Sequence, residues 1–210
     1  MKLRSALAVA AALAVPLFAQ PPGKAVVVFE NSRIRAYRTT ASVLTGVQHG
    51  PGVVVWLSDG PSDKAGRAMW LDDVAVPPRE GAGSGPIVIV QLQPPQAART
   101  TPRERAPAGS KPGDAPFIGM SFVPQFENPR VSVLRARMEL NAREGFHTHG
   151  SDTVVVHLSG GEIEDTADGK TVVNRWKPGD VEFEARGSSH SARNVGAPVD
   201  VVLVALRPQP

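Results

Sequence analysis

The sequence predicts an all-β protein, a sandwich or barrel built in two related halves. Three observations carry that expectation. Short β-branched runs are separated by glycine- and proline-bearing turns, no stretch after the N-terminal apolar run keeps helical periodicity over three turns, and one segment recurs about a hundred residues later.

The chain of 210 residues starts with Lys2 and Arg4, followed by an apolar run from Ala6 to Phe18. Leu17 and Ala19 stand where a signal peptidase reads small or aliphatic residues. The run is shorter than the ~20 residues of a spanning helix. Residues 1–19 are therefore read as a secretory signal peptide, cleaved before Gln20, and the rest as exported to the periplasm or beyond, with no membrane span left. Losing Lys2 and Arg4 takes the formal charge from +3 to +1, and the remaining arginines are scattered. Nucleic acid is excluded as a partner on that ground. The chain has no cysteine, so disulfides, thiolate metal sites and thiol nucleophiles are excluded as well.

The repeat begins at Phe29-Glu30-Asn31-Ser32-Arg33-Ile34, which matches Phe126-Glu127-Asn128-Pro129-Arg130-Val131 at an offset of 97. His49-Gly50 then matches His149-Gly150, and the run from Val53 to Gly60 matches the run from Val154 to Gly161. Trp70 loosely echoes Trp176. Residues 24–94 and 117–210 thus form two related units. The proline-rich stretch 95–116 between them has too little apolar surface to fold alone and reads as a linker.

In the second unit Arg130 to Leu140, Thr153 to Leu158 and Val199 to Leu206 read as strands, with turns at Asp168-Gly169 and at Lys177-Pro178-Gly179-Asp180. His147 and His149 are one residue apart, so on a strand both imidazoles leave the same face and can chelate one divalent ion. Imidazole suits Zn, Cu, Fe and Ni. His190 follows in Gly187-Ser188-Ser189-His190, with Asn194 four residues on. Glu182 and Glu184 alternate with Val181 and Phe183 and read as a solvated face, and Glu162 and Glu164 read as exposed. His157 shares the inward face with Thr153 and Val155, roughly 13 Å from Thr153 and too far to be a ligand. It reads as a hydrogen-bonded interior or pocket-lining histidine.

These residues resemble the two motifs of the cupin superfamily, the double-stranded β-helix or jelly-roll barrel. The first falls on Asn141, His147, His149, Thr153 and Gly160, and the second on Gly179, Ala185, Gly187, His190 and Asn194, with every spacing kept. Asn141 replaces a glycine, Ala185 a proline, and Thr153 the glutamate of the family pattern. The resemblance implies two jelly-roll barrels and a divalent metal (Fe, Mn, Ni or Zn) on His147, His149 and His190. It implies three neutral ligands, with Asp152 the nearest carboxylate to the missing one. The N-terminal unit keeps only His49 and is expected to be a degenerate, structural copy.

What the resemblance implies for function is a three-histidine metalloprotein acting on a small organic molecule, dioxygenase-like, or an isomerase or lyase using the ion as a Lewis acid. A non-enzymatic binder of a sugar-like ligand in the cell envelope is the alternative, because no carboxylate is expected to face the site. The family often forms homodimers, and no surface in this sequence marks one.

Overall fold

The structure is a computed structural model and describes residues 25–44, 50–61, 63–72, 85–94 and 117–207. The expected signal peptide, the linker 95–116 and His49 lie outside the described residues. Among the described residues there is no α-helix, and none is long and apolar enough to cross a membrane. A single 3-10 turn spans Ala41–Leu44.

Five strands, Val26–Glu30 (β1), Ile34–Thr40 (β2), Gly52–Trp56 (β3), Ala68–Leu71 (β4) and Pro86–Leu92 (β5), form an antiparallel sheet in the order β1-β2-β5-β3-β4. Eight more form a second sheet: Phe117–Glu127 (β6), Val131–Thr148 (β7), Thr153–His157 (β8), Gly161–Ala167 (β9), Lys170–Trp176 (β10), Val181–Glu184 (β11), Ser189–Asn194 (β12) and Val199–Leu206 (β13). Its order is β10-β9-β12-β7-β13-β8-β11, with β6 paired to β7. Strand β7 outruns the expected Leu140 by eight residues and binds β13 through its first half and β12 through its second. That long strand lets the sheet curl around an interior cavity.

The sequence repeat has a structural counterpart. The path β6-β7-β13-β8-β11 repeats the order β1-β2-β5-β3-β4. At each repeat start an asparagine closes the hairpin. Asn31 Oδ1 accepts from the amides of Arg33 and Ile34 at 2.8 and 3.0 Å, and Asn128 Oδ1 from those of Arg130 and Val131 at 2.8 and 2.9 Å. An asparagine side chain that imitates a backbone acceptor is what a tight turn uses. Register corrects one match: Trp70 pairs with Val53 as Phe183 pairs with Val154, so the counterpart of Trp70 is Phe183 and not Trp176. Among the described residues the first sheet has no equivalent of β9, β10 or β12, so it presents a single sheet where a second barrel was expected.

That sheet covers the outside of the barrel. Ile34, Ala36, Val53, Val55, Val88 and Val90 pack against Val131, Val133, Val154, Val156, Val202 and Val204 in one buried cluster. Phe29 stacks on Phe183 with ring centroids 5.8 Å apart. Each pair of facing residues here is an alternate residue of its strand, as a pleated sheet dictates. Polar bonds join the halves as well. Gln125 Oε1 accepts from the Ala68 amide and its Nε2 donates to the Gly66 carbonyl, both at 2.8 Å, and Arg33 pairs with Asp152 at 2.8 Å.

The other face of the curled sheet points into the barrel. Ala136, Met138, Val155, Val199 and Val201 line it with Met120, Ile163 and Leu203. Strand β8 therefore has two buried faces, Val154 and Val156 toward the first sheet and Val155 and His157 toward the barrel interior. This decides where the polar residues of neighbouring strands go.

Candidate metal centre

Motif positions shape the backbone around the site. Asn141, within β7, adopts φ 62°, a left-handed conformation that glycine and, next to it, asparagine tolerate. Gly187, at φ 82°, lets the chain double back so that its amide donates to the His149 carbonyl at 2.8 Å. The His149 amide donates in turn to the Ser188 carbonyl at 2.9 Å. This two-bond clamp holds His149 beside the start of β12. Asn194, fully buried, donates to the carbonyls of Met138, Glu139 and Ala197 at 2.9–3.1 Å and fixes the other end of that strand.

The three predicted ligands come together. His147 pairs with His190 across β7 and β12, and His149 stands just beyond. Their ring centroids are 4.8, 4.8 and 4.9 Å apart, a nearly equilateral triangle. One ring nitrogen of each lies within 4.8 Å of the others. His149 Nε2 and His190 Nε2 face each other at 3.1 Å. Two nitrogens each ~2.1 Å from a shared ion stand ~3 Å apart, so the pair fits a divalent cation between them.

The outer nitrogens are oriented from behind. His147 Nδ1 donates to the Gly145 carbonyl at 3.0 Å, and His190 Nδ1 donates to Asp165 Oδ1 at 2.9 Å. Both bonds leave Nε2 free to point inward, which is the usual support for a metal-binding imidazole. The donor set, nitrogen ligands backed by a carbonyl and a carboxylate, fits a borderline metal ion.

Sequence reasoning missed the carboxylates. Glu184 Oε2 is 3.5 Å from His149 Nδ1, and its Oε1 is 3.9 Å from His190 Nε2. Glu144 Oε2 is 3.6 Å from His190 Nε2. Glu182 and Glu184 were expected on a solvated face. They line the cavity instead, because Val181 and Phe183 are taken by the core against the first sheet. Glu184 lies opposite Thr153, so the carboxylate absent from β8 is present on the neighbouring strand. Thr153 itself lines the cavity, and its hydroxyl donates to the Ser151 carbonyl at 3.4 Å.

Glu144 is three residues from His147, an odd spacing that would place it on the opposite face of a regular strand. From Glu144 to His147 β7 advances three residues, while β12 advances two, from Ala192 to His190. The extra residue is a β-bulge, which brings Glu144 round to the histidine side. Gly145 inside that step was the one local signal for it. Asp152 is not at the site; it holds Arg33 and accepts from the Arg186 amide at 2.8 Å. Glu162 and Glu164 face outward and pair with Arg175 and Arg193, as expected.

Burial and mutual charge set the protonation of this group. Burial, then the nearby Glu182, push the Glu184 carboxyl up to about 8. Burial also raises Glu144. Burial and the two neighbouring imidazoles pull His149 down to about 4. For His190 burial acts downward, but its hydrogen bond to Asp165 and the charges of Glu184 and Glu144 outweigh it and carry it up to about 8. An empty site therefore holds protons that an arriving cation would displace.

Behind the trio lies a cavity of about 260 Å³, with Phe117 near the histidine end and His157 and Trp176 in its lining. Among the described residues both His157 nitrogens lack a hydrogen-bond partner, so the expected hydrogen-bonded interior histidine is buried but unsatisfied.

No protein-family profile matches the chain, and no curated protein does. Solved structures of cupin domains are similar in fold. A cupin domain from Bordetella pertussis Tohama I is 23% identical over 42% of this chain and 94% of its own, with a TM-score of 0.40. A cupin superfamily protein from Desulfitobacterium hafniense DCB-2 is 19% identical over 52% and 98%, with a TM-score of 0.36. A structure described as a predicted oxalate decarboxylase, from Thermotoga maritima, is 25% identical over 42% and 81%, with a TM-score of 0.35.

Proposed function

We propose that the mature chain is an exported, mononuclear divalent-metal enzyme acting on a small organic molecule held in the barrel. One observation carries the reading: three imidazoles converge within 4.8 Å at one end of the barrel cavity, with carboxylates beside them. A bound ion would supply Lewis-acid or redox chemistry to a substrate oxygen. His147, His149 and His190 would hold it. Asp165 and the Gly145 carbonyl keep the outer nitrogens of His190 and His147 turned away from it.

The residues around the trio favour proton transfer, as in an isomerase or lyase. Glu184 and Glu144 place carboxylate oxygens within 4 Å of the ligand nitrogens, where a proton on a carbon next to a polarised carbonyl would be exchanged. The dioxygenase-like oxidation expected from the sequence is the second reading, favoured by three neutral ligands that leave open positions for substrate and oxygen. The metal is one of Fe, Mn, Ni or Zn.

The test starts with metal analysis of the mature protein and of a His147→Ala, His190→Ala variant. Near-stoichiometric metal in the first and its loss in the second supports the centre; no uptake after supplementation rejects it. A panel of keto acids, diketones, thiols and phenolics then separates the chemistries. Deuterium incorporation from solvent supports proton transfer, oxygen consumption supports the oxidative reading, and silence in both supports a binder. N-terminal sequencing of secreted or periplasmic protein checks cleavage before Gln20.

A further inference from the structure

The interior of the barrel is apolar between the histidine trio and its deep end. Met120, Ala136, Val155, Val199, Val201 and Leu203 provide the walls. At the deep end the lining changes. His157, 1% exposed, lies flat on the Trp176 indole, with centroids 4.6 Å apart and planes at 16°. Neither of its ring nitrogens has a hydrogen-bond partner among the described residues. The closest acid is Glu182, whose Oε2 is 3.7 Å from Nε2, beyond hydrogen-bond reach.

An unsatisfied buried imidazole is costly, and the fold does not need one here. The first half puts Trp56 at the equivalent position of its repeat, packed in an apolar cluster. The second half puts an imidazole there and aims an acid at it. The gap has a definite size. One oxygen placed about 2.8 Å from both His157 Nε2 and Glu182 Oε2 spans it, accepting from the imidazole and donating to the carboxylate. A hydroxyl does both, whereas an ether or ketone can only accept and an ammonium can only donate.

We propose that His157 and Glu182 form a hydroxyl-binding subsite, which holds the alcohol or phenol group of a small molecule whose compact apolar body fills the barrel and whose other end reaches the histidine trio. This names the substrate class for the cavity described above and rests on reading that cavity as a substrate chamber. The depth agrees with a molecule of that kind. Glu182 lies opposite Val155 and Glu184 opposite Thr153, two residues apart and so roughly 7 Å along the strand. A single six-membered ring with polar groups at opposite ends covers such a distance. His157 is thus a specificity residue, and discrimination against the molecule lacking the hydroxyl follows from leaving His157 and Glu182 unpaired.

The test compares phenol with toluene, which match in shape and differ in the hydroxyl, by ligand-observed NMR titration of the mature protein with and without Zn²⁺. Phenol is expected to bind at least tenfold more tightly. His157→Phe, which keeps a ring on Trp176, is expected to bring the two within about twofold and leave toluene affinity unchanged. Glu182→Leu carries the same expectation independently, should the first variant fold poorly. Equal binding by the wild type, or a preference that survives in both variants, overturns the proposal. Because the comparison runs without metal too, the two readings fail separately. A protein that takes up no added Zn²⁺ yet still prefers phenol keeps the subsite and loses the metal centre; a metal-loaded one that does not discriminate loses only the subsite.

Discussion

Replacing Asp165 tests the centre through a residue that would not touch the metal. Its carboxylate accepts from His190 Nδ1 at 2.9 Å, and His190 stands at about 8 partly because of it. Loss of such a carboxylate behind a ligand imidazole costs roughly 10- to 100-fold in metal affinity, or about 1.4–2.8 kcal/mol. Asn, which still accepts, should fall at the lower end of that range, and Ala at the upper. A second effect runs the other way. Near pH 7 a His190 that titrates at about 8 carries a proton in roughly nine molecules of ten, which costs the wild type about tenfold in apparent affinity. Removing Asp165 takes away the first upward influence on that imidazole and so relieves part of this competition, leaving that due to Glu184 and Glu144. The net loss near pH 7 is then smaller than the full loss, which emerges near pH 9, where the wild type has shed its proton. Chelator competition with Co²⁺ at both pH values reads the difference, with thermal melts to confirm folding. An affinity unchanged near pH 9 for Asp165→Ala would refute the orientation argument. A loss equal at both pH values would refute the proton competition at His190 instead.

Three further outcomes follow from the same geometry. The metal-free protein should lose stability as pH rises from about 6.5 to 8.5, because Glu184 and His190 both bind protons more tightly folded, each at about 8, than their ordinary values of 4.5 and 6.5. Between about pH 4.5 and 6.5 His149, held at about 4, contributes with the opposite sign and offsets Glu184, so melting temperature with EDTA should be nearly level there and fall above about pH 6.5; a steady fall from pH 4.5 upward would contradict this. Asn194→Ala strands three carbonyls that one buried amide now serves and should cost roughly 2–4 kcal/mol in urea unfolding. Gln125→Ala breaks both bonds to the Gly66–Ala68 segment of the first sheet and should cost about 1–3 kcal/mol, with metal affinity unchanged.

Much of this was readable in advance. Strand character follows from β-branched runs, and the turn between β9 and β10 from Asp168-Gly169, because these are local choices of backbone and turn chemistry. The histidine trio was legible because His147 and His149 share a strand face at any register, and motif spacing tied His190 to them. Alternation along a strand, however, divides residues into two faces without saying which face meets water. Glu182 and Glu184 looked solvent-facing only while the far side of their strand was taken to be the sole buried one.

What the sequence alone determined was an all-β chain with an internal repeat and three histidines placed to meet. Tertiary structure decided the rest. The first sheet caps the outside of the barrel, so Val181 and Phe183 turn toward it and their acidic neighbours enter the cavity. A bulge at Gly145 overrides strand parity and adds Glu144. The physical reason is that parity is a property of one strand, whereas burial of a face depends on what packs against it.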